Sequence, residues 1–219
     1  FSCGFHANAI DFLMHMEHIE FPEACRRLLN GSGTTMPATK PIAQAEPKKP
    51  PPRIVLPVPD DAPPPPFVHP KNGEPVAAHE YRNADGRCIG YVLRYTKPDG
   101  DKDYRPLTYG QIGTLPPEWA LKSWPAPRPL YGLDLLAARP GAQVLITEGE
   151  KAADAAQALL PQYVAATWPG GAQAWKHADL EPLRGRRVDL WPDQDEPGRA
   201  AMLAISKVIA DPRGLACTG

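Results

Sequence analysis

Apolar side chains near the start of the chain recur at helical spacing: Ile10, Leu13, Met14 and Ile19, then Phe21, Ala24, Cys25, Leu28 and Leu29. A period near 3.6 predicts two short helices. Pro22 suits the first turn of the second, and Asn30-Gly31 ends it. The pair is too small to fold alone. From Tyr81 the pattern changes. Residues 81–87 and 89–95 predict two strands joined by an Asp85-Gly86 turn, residues 97–102 a second turn, and residues 104–108 the next arm of the meander. From Val144 the period switches again. Strands at 144–147, 163–167 and 187–191 alternate with an alanine-rich helix at 151–160, a weaker helical stretch at 171–183 and a helix at 198–209. Such alternation predicts a parallel α/β sheet.

Composition changes this picture in one place. The chain has 219 residues and 29 prolines, against an ordinary proline usage of ~5%. Fourteen of those prolines fall between Pro37 and Pro75, including Pro50-Pro51-Pro52 and Pro63-Pro64-Pro65-Pro66. Proline fixes φ and removes the backbone donor, so this stretch is expected to form neither helix nor sheet ladder but an extended, semi-rigid linker. Lys+Arg number 24 against 25 Asp+Glu, a net charge of −1, which excludes a uniformly basic nucleic-acid coat but allows local basic patches. Cys3, Cys25, Cys88 and Cys217 are too few and scattered for a disulfide framework and suit a reducing, cytoplasmic setting. Cys25 lies on the apolar face of its helix and reads as core. No run of ~18 apolar residues predicts a membrane span. The chain opens on Phe1 and is expected to be a piece of a longer protein.

In parallel α/β sheets ligands gather at the carboxyl ends of the strands, and acids stand there. Glu148 follows the first strand in Thr147-Glu148-Gly149-Glu150-Lys151. Asp193 and Asp195 follow the third in Trp191-Pro192-Asp193-Gln194-Asp195-Glu196-Pro197-Gly198. Two carboxylates at i and i+2 can share one hard cation, with a third from a neighbouring strand completing an oxygen site. The other reading is helix capping, where negative charge in a first turn is favoured by ~0.3–1 kcal/mol. Capping is expected for Glu150 and Glu196, a metal role for Glu148, Asp193 and Asp195. Basic residues at Arg82, Arg87, Arg94, Lys97, Lys102 and Arg105, interleaved with Tyr81, Tyr91 and Tyr95, read either as phosphate contacts with base-stacking rings or as a solvated strand face. Arg184, Arg186 and Arg187 precede the third strand. The five tryptophans read as packing and His177 as a surface side chain.

Glu148-Gly149 after one strand and Asp193-Gln194-Asp195 after another resemble the Toprim domain of DnaG-type primases, topoisomerases and related nucleases. Ala166-Thr167-Trp168-Pro169-Gly170-Gly171 resembles the small-residue loop after the second Toprim strand. Three further matches resemble the primase branch. Arg128-Pro129-Leu130-Tyr131-Gly132-Leu133 is similar to the Arg-x-Leu-Tyr-Gly-Leu segment. Residues 85–91 resemble the Gly-Arg-x-Ile-Gly-aromatic strand that opens the polymerase core, and residues 1–13 the end of the CHC2 zinc ribbon. The loops Thr-Trp-Pro-Gly-Gly and Trp-Pro-Asp-x-Asp-x-Pro-Gly resemble those of short Toprim proteins from plasmids, phages and integrated elements. The catalytic-core lysine of primases is missing beside Arg128, where Pro125-Ala126-Pro127 stands, with Lys122 a possible substitute. A last Toprim strand is not legible after Ile209.

The resemblance implies an α/β protein with a Toprim-type parallel sheet flanked by helices, preceded by a small mainly β subdomain and a helical zinc-ribbon remnant. Its implied divisions are a zinc-module remnant at 1–31, a proline-rich linker at 32–75, the N-terminal subdomain of the polymerase core at 76–140 and a Toprim domain, incomplete at its end, at 141–219. It implies Glu148 as the acid/base or metal-linked carboxylate and Asp193 and Asp195 as ligands of Mg²⁺ or Mn²⁺. Arg128, Tyr131, Lys122, Lys151, Gly149, Gly170, Gly171 and Arg94 would meet nucleotide or nucleic acid. Cys3 would hold Zn²⁺ only where upstream ligands are present, in the full-length protein. The implied activity is synthesis of short RNA primers on single-stranded DNA from ribonucleoside triphosphates, alongside a replicative helicase. The alternatives are a Toprim nuclease and a non-catalytic module that binds DNA or helicase.

Overall fold

The computed structural model describes residues 9–30, 53–97, 99–111 and 114–210. The chain divides into two units, Phe1–Lys48 and Lys49–Gly219. In the first, helices α1 (Ala9–Glu17) and α2 (Phe21–Asn30) pack on each other, as their spacing predicts. Ala24 is fully buried between them, and Arg27 pairs with Glu17 and Glu23. Cys3 and the expected zinc-ribbon end before Ala9 lie outside the described residues.

The second unit holds two sheets. Strands β1 (Arg53–Ile54), β2 (Ala77–Arg82), β3 (Cys88–Thr96), β4 (Lys102–Gln111) and β5 (Glu118–Ala120) form an antiparallel sheet ordered β1-β4-β3-β2, with β5 on β4. Helix α3 (Leu133–Ala138) leads into β6 (Val144–Thr147), α4 (Glu150–Leu159), β7 (Val164–Ala166), β8 (Val188–Trp191) and α5 (Glu196–Ala210). Here the sheet is parallel, ordered β7-β6-β8. The stretch expected as a weak helix resolves into two short 3₁₀ turns, Ala172–His177 and Glu181–Leu183.

Both predicted hairpin turns are built by side chains that copy the backbone. Asn83 Oδ1 accepts from the amides of Asp85 and Arg87, and Gly86 takes φ 78°. At the next turn Asp99 Oδ1 accepts from Asp101. These are Asx turns, and left-handed φ is least costly at glycine.

The proline-rich segment departs from expectation where it is described. From Arg53 on it is strapped to the sheet. Strand β1 pairs with Gln111 and Gly110 of β4, Val55 N–H donates to Tyr109 O, and Val58 N–H to Cys88 O. Proline loses a donor but keeps its carbonyl, so side chains supply the donors. Trp119 Nε1 donates to Pro63 O at 2.7 Å, and Tyr95 Oη to Phe67 O at 2.6 Å. The donating amides of Val55 and Val58 are both at non-proline positions.

β6 is buried along its whole length. Val144 and Ile146 face a core with Leu130, Leu136, Val164, Ala166, Trp168, Leu183, Met202 and Ile205. Leu145 faces the other way onto Ala153, Ala156 and Ala165. β6 and β7 are thus covered on both faces, by α5 and α4, the two-sided burial expected of parallel strands, while β8 leaves Asp189 and Trp191 exposed. Each fully buried Leu or Ile side chain contributes ~1.5–3 kcal/mol. Among the described residues no helix is long and apolar enough to cross a membrane.

Gly90 sits at φ 135° in β3, and a Cβ there would lie 2.8 Å from both Leu107 O and Trp124 Cζ2. Gly90→Ala is expected to destabilise the folded unit by about 2–4 kcal/mol, from the backbone conformation and the overpacking together. A lowered denaturant midpoint with unchanged slope checks this.

Candidate functional site

The end of β6 is fixed before any acid is considered. Thr167, fully buried just after β7, donates its hydroxyl to Thr147 O at 2.7 Å and accepts from the Gly149 amide at 2.9 Å. One hydroxyl therefore ties the last residue of β6 to the corner that opens α4. Gly149 turns that corner with φ 94° and ψ 155°.

Glu148 projects from this corner toward the first turn of α5. Gly198 in that turn is buried, and a Cβ on it would lie 2.3 Å from Glu148 Oε1 and 2.9 Å from Asp195 Oδ1. Two carboxylates thus converge over a glycine, from the carboxyl ends of β6 and β8. Glu148 Oε1 is buried with no hydrogen-bond partner. Asp195 Oδ1 accepts the Gly198 amide at 2.8 Å, so this acid also caps α5. Burial pushes the Glu148 carboxyl up, the charge of Asp193 adds to this, the Asp193 backbone amide pulls back, and the charge of Asp195 pushes up again. Asp193 and Asp195 are exposed.

Among the described residues no three His, Cys, Asp or Glu side chains are grouped to hold a metal unaided. The donor set still suits a hard cation of the magnesium kind, which takes one or two carboxylates and fills its shell with water and phosphate oxygens. The partnerless Glu148 oxygen beside a second carboxylate has the chemistry of such a site.

The segment before α3 runs along the end of β7. Tyr131 N–H donates to Thr167 O at 2.8 Å, and Gly132 at φ 82° passes so close that a Cβ would meet Ala165 O at 2.7 Å. Arg128 is anchored by its backbone to His177 and Asp179. Its Nη1 would lie 3.4 Å from a Cβ on Gly170, and its Nε is buried without a partner. Gly170 and Gly171 take φ 103° and 78°, and Trp168 Nε1 donates to Gly171 O. A guanidinium on a glycine loop is suited to an oxyanion. Lys122 and Lys151 are exposed, one just after β5 and one in the first turn of α4. Arg94 lies on β3 between Ala77 and Tyr104, with its Nε buried and unpartnered.

Several expectations are corrected. Glu150 lies in the first turn of α4 as expected, but it is 4% exposed and its carboxylate accepts from Tyr81 Oη at 2.7 Å. Tyr81 and Tyr95 are only 0% and 1% exposed and present no face for a base. Trp124 and Trp168 are buried as expected, but Trp191 is 57% exposed at the end of β8. The sequence reading also passed over Thr167, Gly198, His79 and Asp154. The last two meet at 3.0 Å, Nδ1 to Oδ2, and Tyr131 Oη donates to Asp154 Oδ1 at 2.7 Å. Partial burial pushes Asp154 up, but the hydrogen bonds from His79 and Tyr131 outweigh it and hold the carboxyl below its usual range. The signal for these residues was spacing: His79-x-Tyr81 on one strand face, and Glu150 with Asp154 one helical turn apart.

The fold and site define an α/β protein that brings carboxylates to the open end of a small parallel sheet. Residues 81–194 match the family described as Domain of unknown function (DUF6371), and the chain belongs to it. No curated protein matches. Among solved structures the chain is similar to the crystal structure of the primase fragment of the bacteriophage T7 primase-helicase protein, at 20% identity and a TM-score of 0.42, covering 63% of this chain and 49% of that one. It is also similar to a chain of the bacteriophage T7 lagging-strand DNA polymerase interacting with primase domains of two gp4 subunits bound to an RNA/DNA hybrid and dTTP, at 18% and 0.39, covering 61% and 60%. The chain thus spans 49% and 60% of the length of these neighbours. Both TM-scores lie below 0.5, and the functional reading stands on the chain's own residues.

Two outcomes are expected. Gly198→Ala, which gains helix propensity of ~1 kcal/mol, should leave stability near wild type yet weaken Mn²⁺ binding by about tenfold or more, read by calorimetry. A carboxyl raised in the folded state favours folding when protonated. Without metal, its contribution is therefore present at low pH and is lost as pH rises from the ordinary value of 4.5 through the raised one. Glu148→Gln should flatten that part of the stability–pH curve.

Proposed function

We propose that the second unit is the Toprim-bearing core of a DnaG-type primase of a plasmid, phage or integrated element, joining ribonucleotides on a single-stranded DNA template. The observation that carries this reading is the convergence of Glu148 Oε1 and Asp195 Oδ1 over Gly198, with Asp193 beside them, at the carboxyl end of a parallel sheet. It is supported by the glycine loop at Gly170 and Gly171 with Arg128 laid against it.

In this reading Glu148, Asp193 and Asp195 hold Mg²⁺ or Mn²⁺. When bound, the cation supplies charge neutralisation for the triphosphate and favours the in-line displacement. The chain's own residues do the rest. Asp195 is fixed by the Gly198 amide, the backbone on either side of Glu148 by the Thr167 staple, and the Glu148 carboxylate by the Asp193 amide, before substrate arrives. The partnerless Nε of Arg128, and its Nη groups over the glycine loop, bind nucleotide phosphate. Such preorganised charge costs little rearrangement as negative charge shifts in the transition state. Lys122, Lys151 and Arg94 are assigned to nucleic-acid or nucleotide contacts. Zinc at Cys3, a helicase partner and a cytoplasmic setting belong to the same reading of the whole protein.

The test is primer synthesis on single-stranded DNA with labelled ribonucleotides. Asp193→Ala and Asp195→Ala are each expected to lower product formation by about 100-fold or more, and Arg128→Ala to raise the nucleotide KM. DNA cleavage in place of synthesis would point to a nuclease. DNA binding with neither activity would point to a recruiting module.

A further inference from the structure

Helix α4 is gripped by β2 through two rungs. Along a strand, residues two apart share a face; along a helix, residues four apart do. His79 and Tyr81 therefore look the same way from β2, and Glu150 and Asp154 look back from α4. The inner rung joins Tyr81 Oη to Glu150 Oε1 at 2.7 Å, with both residues buried. The outer rung joins His79 Nδ1 to Asp154 Oδ2 at 3.0 Å, and Tyr131 occupies the other oxygen of Asp154. The outer rung borders a cleft of about 340 Å³, also lined by Glu80, Arg82 and Gln157.

The inner rung is the unusual one. A carboxylate buried at the first position of a helix costs more than an apolar residue of similar size unless it is well bonded. Its position suggests what the bond does. Glu150 is the residue after Gly149, whose amide is tied to Thr167. The Glu148-Gly149 corner is thus pinned on one side to the end of β7 and on the other to β2. The β2 pin is itself rigid, because the Tyr81 ring lies 4.7 Å from that of Trp124 and 5.2 Å from that of Tyr131.

We propose that Tyr81 is a positioning residue for Glu148, acting through the buried Glu150 carboxylate; this rests on Glu148 belonging to the site proposed above. The antiparallel sheet thereby sets the aim of an acid on the parallel one.

Tyr81→Phe keeps the ring and removes the hydroxyl. In the metal-free protein, the side-chain carboxyl resonance of Glu148 and the amide resonances of Gly149 and Gly198 are expected to shift. Direct Mn²⁺ binding should weaken on the order of 3- to 10-fold. Glu150→Gln keeps a carbonyl acceptor for Tyr81 and should behave as wild type in both readouts. If Tyr81→Phe does not fold, Glu150→Met removes the acceptor at similar volume and gives the same comparison. A variant that loses only thermal stability, with the Glu148, Gly149 and Gly198 signals in place, overturns the proposal. So does a Glu150→Gln variant that shifts those signals as Tyr81→Phe does. The resonances need neither metal nor catalysis. A wild-type protein that binds no Mn²⁺ and makes no primer would therefore sink the primase reading and leave the positioning role decided on its own.

Discussion

One buried hydroxyl governs the architecture around the acids. Thr167 donates to the last carbonyl of β6 and accepts the amide of the next corner, so two strand ends and a helix start share a single oxygen. An unpaired polar group in this fully buried place would cost ~1–3 kcal/mol. The hydroxyl therefore holds its geometry tightly, and Glu148 inherits it. The same residue is bridged through its backbone to Tyr131, so the segment carrying Arg128 is registered against the same point.

Around that point the two sheets divide the labour. The parallel sheet brings Glu148 and the Asp193–Asp195 loop together because β6 lies centrally, between β7 and β8. The antiparallel sheet contributes no acid to this convergence but braces α4 from outside. The crowding of negative charge there is deliberate in the physical sense. Burial first, and the nearby Asp193 and Asp195 charges after it, raise the Glu148 carboxyl, and one of its oxygens has no donor, a state that a cation would relieve.

Much of this was legible in the sequence, and the rest was hidden for identifiable reasons. Periodicity gave β6 and β7, because a two-sided buried strand has to be apolar throughout, and it gave β8, α4 and α5, but not the 3₁₀ turns between β7 and β8. Asp85-Gly86 and residues 97–102 marked the hairpin turns because local hydrogen bonds decide them. Glu148 and Asp195 could be placed at strand ends, since connection order fixes which ends are shared. What stayed hidden depends on distant partners. Glu150 looked like a capping acid because first-turn position is local information, whereas Tyr81 lies 69 positions earlier in the chain. Tyr81 and Tyr95 looked available to bases because alternation reveals a face but not what covers it. The prolines hid a strap because counting missing donors overlooks carbonyls that Trp119 and Tyr95 can reach.

The buried Tyr81–Glu150 pair also constrains how such a chain can change over time. Losing the hydroxyl first strands a carboxylate in the interior, and losing the carboxylate first strands a hydroxyl. Either single step passes through a less stable protein, while an exchange of both for apolar residues does not. The two positions should therefore drift through related sequences as a couple: tyrosine with glutamate or glutamine, or an apolar residue with an apolar residue. Mixed pairs should be scarce. Such joint substitution would leave a record of the contact in sequences for which no coordinates exist.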